Sequence, residues 1–157
     1  MALPVSQQNV KAVVLAAGKG VRMKSELPKV LHEILGRPVL DFVLRNLRLA
    51  GIQEVVLVVG HQADKVKAAA PDCAYAEQTE QKGTGHALLC AEARLKGFKG
   101  DLVVVAGDAP LIGPDTLRRL IEDHRTHGRD ATFLSACLDD PTGYGRVLRD
   151  KESGRFL

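Results

Sequence analysis

The sequence contains no tryptophan, and its four phenylalanines and two tyrosines make up 4% of the 157 residues. That supply is too small for a platform on which exposed bases would stack. Long apolar runs are missing as well. Ala12 to Ala17 and Val55 to Val59 fall far short of the ~20 residues a helix needs to span a bilayer. No block of one charge sign occurs, because 22 Lys and Arg are interleaved with 19 Asp and Glu and the net charge is +3. Neither a nucleic-acid stripe nor a charged tail is expected, and no membrane partner. Three cysteines, Cys73, Cys90 and Cys137, lie 17 and 47 positions apart and match no zinc or redox spacing, so buried thiols are expected. The opening MALPVSQQN has neither a basic start nor an apolar stretch, so it does not read as a secretory signal, and a cytoplasmic chain is expected.

What is there suits one folded domain. The chain is 45% hydrophobic, enough to build a core and too much for a disordered segment. Val10 to Ala17, Glu54 to Val59 and Asp101 to Ala106 are short, β-branched runs that end at a glycine loop and read as buried strands. Ala74 to Glu77 and Ala131 to Leu138 are further strand candidates. Helical spacing joins Val39, Leu40, Val43, Leu44 and Leu47, after Pro38 in the first turn and before Gly51. It recurs over Thr84 to Lys96, and again from Asp115 or Thr116 to Gly128. Alternating strands and helices imply parallel pairing with right-handed crossovers, hence an α/β fold with a Rossmann-like, doubly wound, mostly parallel sheet. Arg146 to Arg149 adds a possible strand, and Lys151 to Gly154 a hairpin turn. In such a sheet, ligands sit beyond the carboxyl ends of the strands.

The loop after the first strand, within LAAGKGVRMKSELPKVLH from Leu15 to His32, carries the strongest chemical signal. Gly18 and Gly20 let backbone N–H groups approach an anion, and Arg22 and Lys29 bring two cations to the same mouth. The dinucleotide fingerprint fails because Met23 stands at its third glycine, and the P-loop fails because no Gly-Lys-Ser or Gly-Lys-Thr occurs. Asp108 closes the third long run inside AGDAPL, where a carboxylate either holds Mg²⁺ or serves as a turn residue.

The pattern L-A-A-G-x-G-x-R-M followed by P-K-V-L resembles the signature of sugar-phosphate nucleotidyltransferases. QTEQKGTGHA (Gln78 to Ala87), AGDAPL (Ala106 to Leu111) and DDPTGYGR (Asp139 to Arg146) resemble one branch of them. That branch is the N-acetylglucosamine-1-phosphate uridyltransferase domain of a bifunctional bacterial enzyme, with the nucleotide-diphospho-sugar transferase type of fold. The resemblance implies that Leu15, Ala16, Ala17 and Gly18 wall the nucleoside through backbone atoms. It implies that Gln78 pairs with the uracil edge, that Gly83, Thr84 and Gly107 line the nucleotide, and that Gly145, beside Tyr144, meets the sugar. Thr84 is also a candidate helix cap. Asp108 is the implied Mg²⁺ ligand, and Arg22 and Lys29 the catalytic cations facing the triphosphate. His32 and His86 fall inside motifs and read as structural. Val21 stands where the family commonly has Thr or Ser, and Ala106 where a larger residue is often found.

The function so implied is joining of UTP and N-acetylglucosamine 1-phosphate into UDP-N-acetylglucosamine and pyrophosphate, a step toward peptidoglycan precursors. Transfer to another sugar phosphate, or from another nucleoside triphosphate, is the alternative, and a non-catalytic nucleotide-binding fragment is a second. Residues 1–157 would form the N-terminal part of such a domain, with the rest of it and any acetyltransferase domain lying beyond. The piece alone is then expected to bind uridine nucleotides weakly and turn over poorly, and the parent enzyme to be a homo-oligomer, a trimer by resemblance.

Overall fold

The computed structural model describes residues 9–20, 23–145 and 147–153. The chain enters through β1 (Val10–Leu15) and then a short hairpin of β2 (Glu33–Ile34) and β3 (Arg37–Pro38). There follow α1 (Val39–Leu49), β4 (Glu54–Val59), α2 (Ala63–Ala69) and β5 (Ala74–Glu77). Next come α3 (Thr84–Cys90), α4 (Glu92–Leu95), β6 (Asp101–Ala106) and α5 (Pro114–Thr126). The main sheet has the order β5-β4-β1-β6, and every pairing in it is parallel. Growth runs from β1 outward to β4 and β5, then returns to the other side of β1 for β6. That reversal puts a topological switch point between β1 and β6, the expected ligand crevice.

Parallel strands must be covered on both faces, which is why the runs are continuously apolar rather than alternating. Val55 to Val59 are all buried. One face packs against α1, α2 and α5 through Leu40, Leu44, Leu47, Val66, Leu117 and Ile121. The other carries Val13, Val56, Val58 and Ala76 against Ala87 and Ala91. This second layer stops short of β6, where Leu102 and Val104 remain 37% and 41% exposed. No helix of the described residues is long and apolar enough to cross a membrane.

The α/β class, the parallel sheet and four of the expected strands are observed. Several local expectations are corrected. Ala131 to Leu138 is not a strand: a strand needs a ladder partner, and among the described residues this stretch has none, leaving Phe133, Leu134 and Leu138 exposed. Thr84 to Lys96 is two helices rather than one, interrupted at Ala91. Pro38 is the N-cap of α1, with extended ψ, and Pro114 instead of Asp115 opens α5. In the last stretch, Arg149 makes a single bridge and 151–153 form the turn, while Arg146 and Gly154 lie outside the described residues. The helix α2 escaped sequence reading because it buries only Val66 and starts after a left-handed Gln62.

The cysteines also divide. Cys73 is buried, Cys90 is half-buried and Cys137 is exposed, so the expectation of three buried thiols holds for the first alone. Burial pushes the Cys73 thiol above its ordinary pKa, against the partial offset of Arg48. A thiolate-specific reagent such as DTNB is therefore expected to modify Cys137 promptly and Cys73 only when the chain is unfolded in denaturant. Equal native-state rates at the two positions would show that the end of α2 and the start of β5 open readily.

Candidate active site

Three loops meet where β1, β5 and β6 end, and each is wired to the sheet by backbone hydrogen bonds that prolong the ladder. Ala16 N donates to Val58 O at 2.8 Å, Gln78 N to Val59 O at 2.8 Å, and Gly107 N to Leu15 O at 2.9 Å. Ala17 O accepts from His61 N at 3.3 Å and from Gln81 Nε2 at 2.7 Å, which ties the first loop to the loops after β4 and β5. Two glycines make this convergence possible by close approach. A Cβ on Gly60 would lie 2.9 Å from both Ala17 Cβ and Gln78 O, and one on Gly107 would lie 3.1 Å from Leu15 O.

Within the first loop, Leu15 is half-buried, Ala16 and Ala17 are buried, and Gly18 is open to solvent with free space around it. No hydrogen bond among the described residues uses the N–H of Gly18, Lys19 or Gly20. Unused amides in consecutive positions are what an anion needs. Gly20 has φ +61°, and a Cβ there would stand 2.8 Å from Lys29 Cβ. The glycine thus lets the loop fold back on the 3-10 turn Lys29–Leu31, where Pro28, Val30 and Leu31 are buried and Lys29 is left at the mouth. Val21 and Arg22 lie outside the described residues.

Lys29 Nζ makes an ion pair with Asp108 Oδ2, both side chains being about one-third exposed (39% and 32%). The structure therefore brings together the two charges expected at the first and third loops. Asn46, reaching from α1, holds the segment after Asp108 by donating Nδ2 to Pro110 O and Ile112 O at 3.0 and 3.1 Å. Among the described residues no group of three or more His, Cys, Asp or Glu is placed to cage a metal. A lone carboxylate suits Mg²⁺, which keeps water and takes phosphate oxygens, better than a cation that demands an all-protein shell.

Gln78 is buried at 5% exposure, with Nε2 at 3.1 Å from Gly83 O and 3.0 Å from His86 Nδ1. Gly83 takes φ +96° and serves as the N-cap position of α3. Thr84 is the first helical residue and its side chain caps nothing, which corrects the expectation of a Thr84 cap. Gly145 is exposed, just after the turn at 142–143, with open space about it, and no hydrogen bond or ion pair among the described residues joins it to the three loops. Gly60, Gln81 and His86 were missed by sequence reasoning as site residues. The position of Gly60 directly after a buried strand, like Gly107, was the available signal.

A separate cavity of about 530 Å³ lies along α5, lined by Thr116, Arg119, Leu120, Glu122, Asp123 and Leu134 among others. Its Asp123 is engaged by Arg129 Nη1 at 2.5 Å and lies 3.3 Å from His127 Nδ1.

Known proteins resemble this chain in sequence and in fold. Residues 12–151 match the family model of the MobA-like NTP transferase domain. The chain is 53% identical over 153 residues to the bifunctional protein GlmU of Pelobacter propionicus, covering 96% of this chain and 33% of that protein. Streptococcus pyogenes (serotype M12, strain MGAS2096) GlmU is 47% identical over 90% of this chain and 34% of its own length. The chain thus spans about a third of the curated relatives it matches. Rv0371C of Mycobacterium tuberculosis, solved in complex with manganese, superposes with a TM-score of 0.63 at 29% identity, covering 76% of this chain and 61% of that one.

The packing at Gly60 yields a test. Gly60→Ala forces a methyl against a backbone oxygen and a fixed Cβ, and is expected to lower stability by roughly 1–3 kcal/mol. A lower urea midpoint with an unchanged slope is the expected result. An unaltered midpoint would show that the loops are not pressed together.

Proposed function

Because this chain belongs to the MobA-like NTP transferase family, we propose that it forms the nucleotide-binding part of a uridylyltransferase. The reaction joins UTP and N-acetylglucosamine 1-phosphate and releases pyrophosphate and UDP-N-acetylglucosamine. The observation that carries this reading is the Lys29–Asp108 pair beside the unused amides of Gly18 to Gly20. An ammonium, a carboxylate and free N–H donors at one crevice match the needs of a triphosphate. The 53% identity to a GlmU protein supports the choice of substrates.

A phosphate oxygen of the sugar attacks the α-phosphorus of UTP, the α–β bridging P–O bond breaks, and its electron pair leaves with pyrophosphate. Such a transfer needs charge neutralisation and positioning more than a covalent nucleophile. The Gly18 to Gly20 amides receive phosphate oxygens. Lys29, released from Asp108 when an anion enters, places a point charge on the departing group. Arg22 is assigned the same task by its place in the loop. Asp108 would hold Mg²⁺, which when bound supplies positive charge to the phosphate oxygens. Ala16 and Ala17 offer the nucleoside a buried wall, and Gln78 offers its amide to the base. Gly145 is assigned to the sugar.

In the full-length protein, Asp108→Asn is expected to cut pyrophosphate release from UTP and N-acetylglucosamine 1-phosphate by roughly a hundredfold or more while the melting temperature stays close to wild type. Near-normal rates at saturating Mg²⁺ would remove Asp108 from the metal site. Wild-type turnover of CTP or GTP in preference to UTP would overturn the uridylyl assignment.

A further inference from the structure

Among the described residues, Gln78 is the one polar side chain in the buried class, so its hydrogen bonding has to be nearly complete. The contact at 3.1 Å to Gly83 O fixes which way the amide faces, because a carbonyl only accepts and the atom opposite it must be the nitrogen. The second amide hydrogen goes to His86 Nδ1 at 3.0 Å. That ring nitrogen then needs a lone pair, which places the imidazole proton on Nε2. Both amide hydrogens are spent. The oxygen, Gln78 Oε1, takes no hydrogen bond from a described residue. It is also not one of the buried atoms left without a partner, which are His32 Nε2 and Gln62 Oε1. Oε1 therefore keeps its lone pairs for a further partner, and it can only accept.

We infer that His86 is a positioning residue for base selectivity: by accepting from Gln78 Nε2 it leaves the amide presenting an acceptor and no donor. This rests on the proposed reading that Gln78 faces the base. Uracil offers N3–H to such an acceptor, whereas cytosine offers a lone pair at N3 and meets it with repulsion. Without an acceptor at His86, Gly83 O alone opposes the flip of the amide that would turn Nε2 toward the base, so Gln78 can serve cytosine more readily. A buried group built to meet one donor pattern discriminates because the wrong partner leaves it unpaired.

The test uses the full-length protein and the ratio of kcat/KM for UTP to that for CTP at fixed N-acetylglucosamine 1-phosphate. His86→Leu keeps bulk and removes the acceptor, and His86→Asn returns an oxygen near the Nδ1 position. The Leu variant is expected to lose about fivefold to tenfold of the UTP:CTP ratio, mainly through KM, and the Asn variant to restore most of it. Equal losses of rate in both variants with the ratio unchanged would reduce His86 to a packing residue. A wild-type enzyme without preference for UTP would defeat the uridine reading itself, whatever the variants do. Nitrogen-15 spectra of the wild-type histidines supply a readout that needs no variant to fold. They are expected to show His86 protonated at Nε2 alone, and a proton on Nδ1 would overturn the proposal.

Discussion

The position of β1 between two parallel neighbours is the constraint on which the rest depends. A strand paired on both sides and covered on both faces has nowhere to slip. Its register with β4 and β6 sets where Leu15, Ala16 and Ala17 emerge. Leu15 and Ala17 then anchor the other loops through backbone and amide hydrogen bonds, Leu15 O to the β6 loop and Ala17 O to Gln81 beyond β5. The crevice is the consequence of strand order, and its chemistry is supplied by what each loop carries into it.

Electrostatics at this edge is arranged in local pairs. Lys29 balances Asp108 at the mouth, and Lys67 Nζ lies 2.5 Å from Glu77 Oε1 at the end of β5. The hydrogen bond with Lys67 holds the Glu77 carboxyl below its ordinary range, and Glu77 in turn raises Lys67. These groups are partly open to solvent, so such pairs add little to folding. Their value at the mouth is chemical. Under the proposed function, an incoming polyanion takes Lys29 from Asp108 and leaves the carboxylate to a cation.

The strands were legible because β-branched runs that stop at glycine have few alternatives, and the loops followed from the rule that ligands gather at strand ends. Lys29 and Asp108 were legible as charges, although their meeting depends on a fold-back made possible by Gly20. Ala131 to Leu138 misled because apolar content signals a strand only where a partner edge is present. His86 was read as structural because no spacing in the chain announces the lone pair it aims at Gln78. For Gly60 the place after a buried strand was a signal, but its necessity comes from Ala17 and Gln78, residues distant in sequence that crowd it only after folding.

The central claim is that the loops after β1, β5 and β6 form one site for a nucleotide. Hydrogen–deuterium exchange of the full-length protein, with and without UTP and Mg²⁺, tests it most directly. The account predicts slowed exchange together at residues 15–20, 78–84 and 106–109, with the cavity along α5 unchanged. Protection confined to the segment from Thr116 to Leu134, with the three strand-end loops exchanging as before, would contradict it.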